Sequence, residues 1–107
     1  MYLLKMYEIK DVKNIFKNVS RIIVKNSEGE IETDVNNIFF KFKSNKLNLK
    51  FMKNFETGHD YTMSGKIFKE NSTNVIISYG GLLMNVPTKM LGDYSLEEQV
   101  YCLIDFL

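Results

Sequence analysis

The sequence predicts an α+β fold: an antiparallel β-meander of about six or seven strands with a short N-terminal helix and a C-terminal helix packed on it. Three observations carry this. Segments between residues 20 and 87 alternate apolar and polar side chains around turn-forming residues. Apolar residues near the N-terminus recur at helical spacing. The last fourteen residues place a capping box before an apolar helical face.

Residues 2–9 read equally as strand or as the start of a helix. From Asp11 the spacing changes. Ile9, Val12, Ile15, Phe16 and Val19 fall on one helical face, with Lys10, Lys13, Asn14 and Lys17 opposite. Asp11 suits an N-cap, and the spacing predicts a helix over about 10–18.

SRIIVKNSEGEIETDV, residues 20–35, reads as a hairpin turning at Asn26–Gly29. One register pairs Lys25 with Glu30, Ile23 with Glu32 and Arg21 with Asp34. The same register sets Val24 against Ile31, Ile22 against Thr33 and Ser20 against Val35. Opposite charges and apolar partners agree on it, and a one-residue slip would destroy both.

NNIFFKFKSNKLNLKFMKNF, residues 36–55, suggests a second hairpin with Ser44-Asn45 at its tip. Ile38, Phe40, Phe42, Leu47, Leu49 and Phe51 then share one face, while Lys43 opposes Lys46, Lys41 opposes Asn48 and Phe39 opposes Lys50 on the other. A third hairpin joins residues 60–69 to 74–79 through Glu70–Thr73. Gly80-Gly81 then signals a bulge or sharp bend before the strand LLMNVP, which Pro87 ends. In YSLEEQVYCLIDFL, Ser95 and Glu98 match a capping box, and Leu96, Val100, Leu103, Ile104 and Leu107 line one helical face. The sheet is expected to curl into a half-barrel or roll closed by that helix, a shape also seen in small pleckstrin-homology-like barrels.

With 107 residues, 45% hydrophobic and 25% charged, one globular domain over 1–107 is expected. A single Cys excludes an internal disulfide and a zinc framework. No signal-peptide pattern and no run of ~18 apolar residues occur, so a cytoplasmic protein that does not enter membranes is expected. Lys, Asn, Ile and Phe abound where Ala is missing, a bias of AT-rich genomes.

Positive charge is concentrated in 36–55, although the net charge is only +1. The candidate partner-binding residues are Phe39, Lys41, Lys43, Lys46, Asn48 and Lys50. Three readings of this face stay open. It is solvated or paired with Glu28, Glu30, Glu32 and Asp34; it meets an acidic protein surface; or it tracks phosphates while Phe39 stacks on a base. The acidic strip at 28–34 is too small for nucleic-acid mimicry, and its carboxylates are spaced too far along a strand to enclose one ion. His59, the only histidine, sits beside Asp60 near Tyr61 and Ser64, but no nucleophile motif accompanies it. Gly80-Gly81 lacks the spacing of a phosphate-binding loop. Cys102 reads as a buried thiol. No catalytic residue, metal ligand or cofactor is assigned.

The expectation is a small non-enzymatic interaction protein that binds, and in one version inhibits, a macromolecular partner with an acidic surface. A phage- or plasmid-borne anti-defence inhibitor is one such case. The alternative is a nucleic-acid-binding module using the lysine-rich face. Partner identity and oligomeric state are left open.

Overall fold

In the computed structural model, which describes residues 5–107, the chain forms eight antiparallel strands closed into a barrel. The strands are β1 (Lys5–Phe16), β2 (Val19–Asn26), β3 (Gly29–Asn36), β4 (Lys46–Met52), β5 (Tyr61–Glu70), β6 (Asn74–Tyr79), β7 (Leu82–Pro87) and β8 (Gln99–Phe106). One short helix, α1 (Thr88–Leu91), precedes β8. Around the barrel the order is β1-β2-β3-β7-β6-β5-β8-β4, and β4 returns to β1. The α+β expectation is therefore corrected to a nearly all-β closed barrel, with neither terminal helix. The question raised by residues 2–9 is answered only from Lys5 onward, where β1 begins; residues 2–4 lie outside the described residues.

The N-terminal error has a local cause. β1 pairs with β2 through Ile9↔Val24 and then Asp11↔Ile23, and the ladder slips again between Asn14 and Phe16. Each extra residue turns the following side chains to the other face. Two irregularities in twelve residues convert a period of two into a spacing of three and four. Asn18, at φ +66°, turns the chain into β2 where a helix would have continued.

The C-terminal error is of another kind. The Ser95 amide does donate to Glu98 Oε1 (3.0 Å), so half of the capping box forms. Glu97 then takes φ +67°, its amide donates to the Ile67 carbonyl, and extended chain begins at Gln99. β8 bonds β5 on one edge and β4 on the other, six residue pairs each. Val100, Cys102 and Ile104 point into the barrel, and Leu103 is buried on the outer face. A strand covered on both faces loses its alternation, and here it mimics helical spacing.

The β2–β3 hairpin carries all six pairs expected, and Asn26↔Gly29 closes it around a tighter turn, Ser27-Glu28. β5, β6 and β7 fall where the alternation places them. Gly80-Gly81 forms the two-residue turn between β6 and β7, with φ +63° and +99°, the left-handed pair that a tight hairpin of this twist requires.

The interior is filled by inward side chains of all eight strands, among them Tyr7, Ile22, Val24, Ile31, Leu47, Met63, Ile77 and Met84. Phe40 plugs the barrel at the Asn36 end of β3. Its ring centroid lies 5.0 Å from those of Phe42 and Tyr61 and 5.2 Å from that of Phe106. At the Gly29 end, Met90 of α1 closes down over the β2–β3 turn. Burial of each such side chain contributes about 1.5–3 kcal/mol.

Gly65 marks the tightest strand contact. A Cβ there would lie 2.2 Å from the Ser78 carbonyl oxygen and 2.6 Å from Tyr79 Cδ1. Neither can yield without moving the β5–β6 ladder. Gly65→Ala is expected to destabilise the fold by about 3 kcal/mol, the upper part of the overpacking range, measured by urea unfolding. A loss of less than about 0.5 kcal/mol would show that β5 and β6 are not in this contact.

Candidate binding surfaces

The segment richest in lysine is not a hairpin. Asn36 turns the chain outward: its side-chain oxygen accepts the Ile38 amide (2.9 Å), and its carbonyl accepts those of Phe39 and Phe40. Residues 37–45 then cross the barrel mouth as a loop. Only Phe40 goes fully inward, at 1% exposure, while Phe39 stays 69% exposed and Phe42 46% exposed. The expected pairing of Ile38, Phe40 and Phe42 with Phe51, Leu49 and Leu47 is thus overturned. β4 takes β1 and β8 as its neighbours, and Leu47 and Leu49 still point inward.

The six candidate residues therefore do not share one hairpin face. Phe39, Lys41 and Lys43 sit on the loop. Lys46, Asn48 and Lys50 line the outer face of β4 at successive alternate positions. Lys41 Nζ donates to the Asn37 carbonyl (3.2 Å), and Lys43 Nζ reaches Asp60 (2.8 Å). Lys46 lies opposite Glu8, and Asn48 lies between Met6 and Asp105 in the two ladders. Lys50, largely buried by its neighbours, donates to Glu56 (3.1 Å).

The acids at 30–34 find other cations: Glu30 takes Lys10 (2.8 Å), and Asp34 takes Arg21 (2.8 Å) with Glu32 nearby. Asp34 also accepts the Leu83 amide (3.1 Å), which links β3 to β7 beyond their two ladder pairs.

The loop 53–60 brings together a cluster that sequence adjacency misplaced. His59 Nδ1 lies 2.7 Å from Asp105 Oδ2, and Nε2 lies 2.7 Å from Glu56 Oε1. The ring can donate to both carboxylates at once only as the imidazolium, so the arrangement favours the protonated form. Asp60 does not pair with it. Asp60 instead accepts Lys43 and the Phe106 amide (2.9 Å), and its own amide donates to Asp105 (3.0 Å). Ser64 accepts Gln99 Nε2, and the Tyr61 hydroxyl accepts the Asn36 amide, so neither faces the histidine. The sequence reading missed both partners; the three-residue spacing of Glu56 from His59 is a local signal that could have found it, and Asp105 leaves none.

The cluster clamps the loop onto the outside of β8, where Leu103 is buried two residues from Asp105. Among the described residues no group of histidine, cysteine and carboxylates is arranged to hold a metal ion. Burial pushes the Cys102 thiol well above its ordinary value, so it stays protonated at neutral pH.

The hydrogen bond to Asp105 is the main reason that the His59 pKa rises above its ordinary value; partial burial opposes the shift and the bond to Glu56 adds to it. His59 in turn is the main reason that Glu56 is held below the usual carboxylate range. A group with a raised folded-state pKa stabilises fully below its unfolded value, and that stabilisation is lost as pH rises through the folded value. The His59 contribution is therefore complete below about pH 6.5 and is lost as pH rises through its raised folded-state value, while the Glu56 contribution is lost only in acid, as pH falls through its lowered value. Urea unfolding from about pH 6 to about pH 9 is expected to show a stability loss that His59→Gln abolishes. An identical pH slope in the variant would place the titration elsewhere.

Residues 44–105 match the model of the family RNA polymerase Rpb8. A comparison with curated proteins gives no match. The matched region runs from just before β4 to the penultimate residue of β8, so it takes in the closing strands, the His59 clamp and more than half of the chain. On that extent of match, the chain belongs to the RNA polymerase Rpb8 family.

Proposed function

We propose that this chain is a non-catalytic module associated with RNA polymerase, docking onto a protein surface of that assembly. The observation that supports it most is the family match over β4–β8. The match draws the reading away from a phage-borne or anti-defence inhibitor and toward a polymerase and nucleic-acid context. The geometry is compatible with a docking role: a closed barrel presents a rigid outer surface, and the loop 37–45 carries Phe39 and Lys41 into solvent. Among the described residues no helix is long and apolar enough to cross a membrane. A cytoplasmic location, one globular unit and no cofactor belong to the same proposal.

A second reading has its own observation. Phe39 stands exposed beside Lys41, with Lys46 exposed at the start of β4, an arrangement suited to stacking a base and neutralising phosphates. Lys43 and Lys50 contribute less, since Asp60 and Glu56 already hold them.

The test uses the tagged chain as bait in lysate of its source, with polymerase subunits quantified by mass spectrometry. Enrichment of the large polymerase subunits is expected, reduced about tenfold or more by Lys41→Glu combined with Lys46→Glu. No enrichment by the unaltered chain would refute polymerase association. Retention of single-stranded RNA that falls steeply with salt would establish the second reading.

A further inference from the structure

Strand β1 has a second neighbour over only part of its length. β4 covers it at Lys5–Glu8, and the Ile9 amide continues the contact by donating to the Asn45 carbonyl (2.8 Å). The chain then parts from β1 and returns only where the Asn37 amide meets the Asn18 carbonyl (2.9 Å). Between those points Lys10–Phe16 pairs with β2 on one side and, among the described residues, with no strand on the other. The Val12 amide donates to the neighbouring Asp11 side chain (3.0 Å), a local substitute for a strand partner.

The opening is a groove rather than a bare edge. Ile9, Val12, Phe42, Ser44 and Asn45 line a shallow space of about 450 Å³. Val12 and Phe42 are each nearly half exposed, and Phe16, at the far end of the strand, is 73% exposed. An open strand edge beside an apolar floor is the requirement for strand addition: main-chain bonds supply affinity, and alternate side chains enter the floor. Seven residues of edge span about 23 Å, enough for an added strand of ordinary length.

Charge selects the occupant. Residues 10–17 carry Lys10, Lys13 and Lys17 against Asp11, and residues 37–46 carry Lys41, Lys43 and Lys46 with no acid. Lys10 and Lys43 are taken by Glu30 and Asp60. A second copy of this chain would bring the same lysines and be repelled. A nucleic acid would use the lysines but neither the edge amides nor the aliphatic floor. We propose that Lys10–Phe16 accepts an extended acidic segment of a partner protein as an added strand. Its apolar side chains rest on Ile9, Val12 and Phe42, and its carboxylates face Lys13, Lys17 and Lys41. This deepens the polymerase-associated reading, on which it rests for the partner being a protein.

The test is fluorescence anisotropy with the full chain and labelled probes, without polymerase, so that it fails or succeeds apart from that reading. The probes are a peptide of about nine residues alternating Val with Asp or Glu, its copies N-methylated along either edge, its lysine-for-acid copy, and oligouridylate of about ten nucleotides. The acidic peptide is expected to bind at least about tenfold more tightly than the lysine copy and than one or other N-methylated copy. Its amide shift changes should fall on residues 10–16 and 38–45. Val12→Pro and Phe42→Asp should each weaken it about tenfold. Phe42→Asp leaves the backbone of β1 intact and serves if Val12→Pro unfolds the barrel. Absence of saturable acidic-peptide binding, equal binding of both N-methylated copies, shifts elsewhere, or tighter binding of oligouridylate to the same residues would each overturn the proposal.

Discussion

The barrel depends on β4 being held on both edges. It bonds β1 on one side and β8 on the other, and so joins the first three strands of the chain to the last four. The opposite seam, β3 to β7, has two ladder pairs, reinforced by the buried Asp34 carboxylate that receives both Arg21 and the Leu83 amide. A closed sheet has no spare strand. A helix at 95–107 would strip β4 and β5 of six residue pairs each and leave their backbone groups without partners. That constraint overrides the local preference expressed by Ser95 and Glu98.

The concentration of lysine in 36–55 has a mostly local resolution. Lys43 and Lys50 are held by Asp60 and Glu56 on the next loop, and Lys53 by Glu98 with the Tyr94 ring 5.1 Å away. Lys50–Glu56 fastens loop 53–60 to β4, Lys43–Asp60 joins it to loop 37–45, Lys53–Glu98 joins it to the turn before β8, and His59 completes the attachment at Asp105. Exposed ion pairs are individually weak, so their value here is positional. What remains outward is Phe39, Lys41, Lys46 and the unmatched edge of β1, on the side where the loop 37–45 crosses the barrel mouth.

Legibility in the sequence followed local regularity. The β2–β3 register was readable because charge pairs and apolar pairs fixed it independently, and β5–β7 because turn chemistry bounded each strand. β1 was misread because its slips at Lys10 and Ile15 produce helical spacing, and β8 because burial on both faces erases alternation. The symmetric pattern around Ser44-Asn45 was the most persuasive and the most misleading. Nothing local says that β4 prefers β1 and β8 to the segment before it, since that preference is set by closure. The candidate site suffered accordingly: its residues are divided between a loop and one strand face, and Lys50 is largely covered by its neighbours. The open edge of β1 could not be read at all, because an edge exists only relative to neighbours far away in sequence.

Native-state amide hydrogen exchange tests the central claim, a sheet closed through β4 and β8 that leaves the outer half of β1 open. Slow exchange is expected across Leu47–Phe51 and Tyr101–Asp105, with alternate amides of Lys10–Phe16 exchanging fast. Protection throughout Lys10–Phe16 equal to that of β4, or rapid exchange along β8, would contradict it.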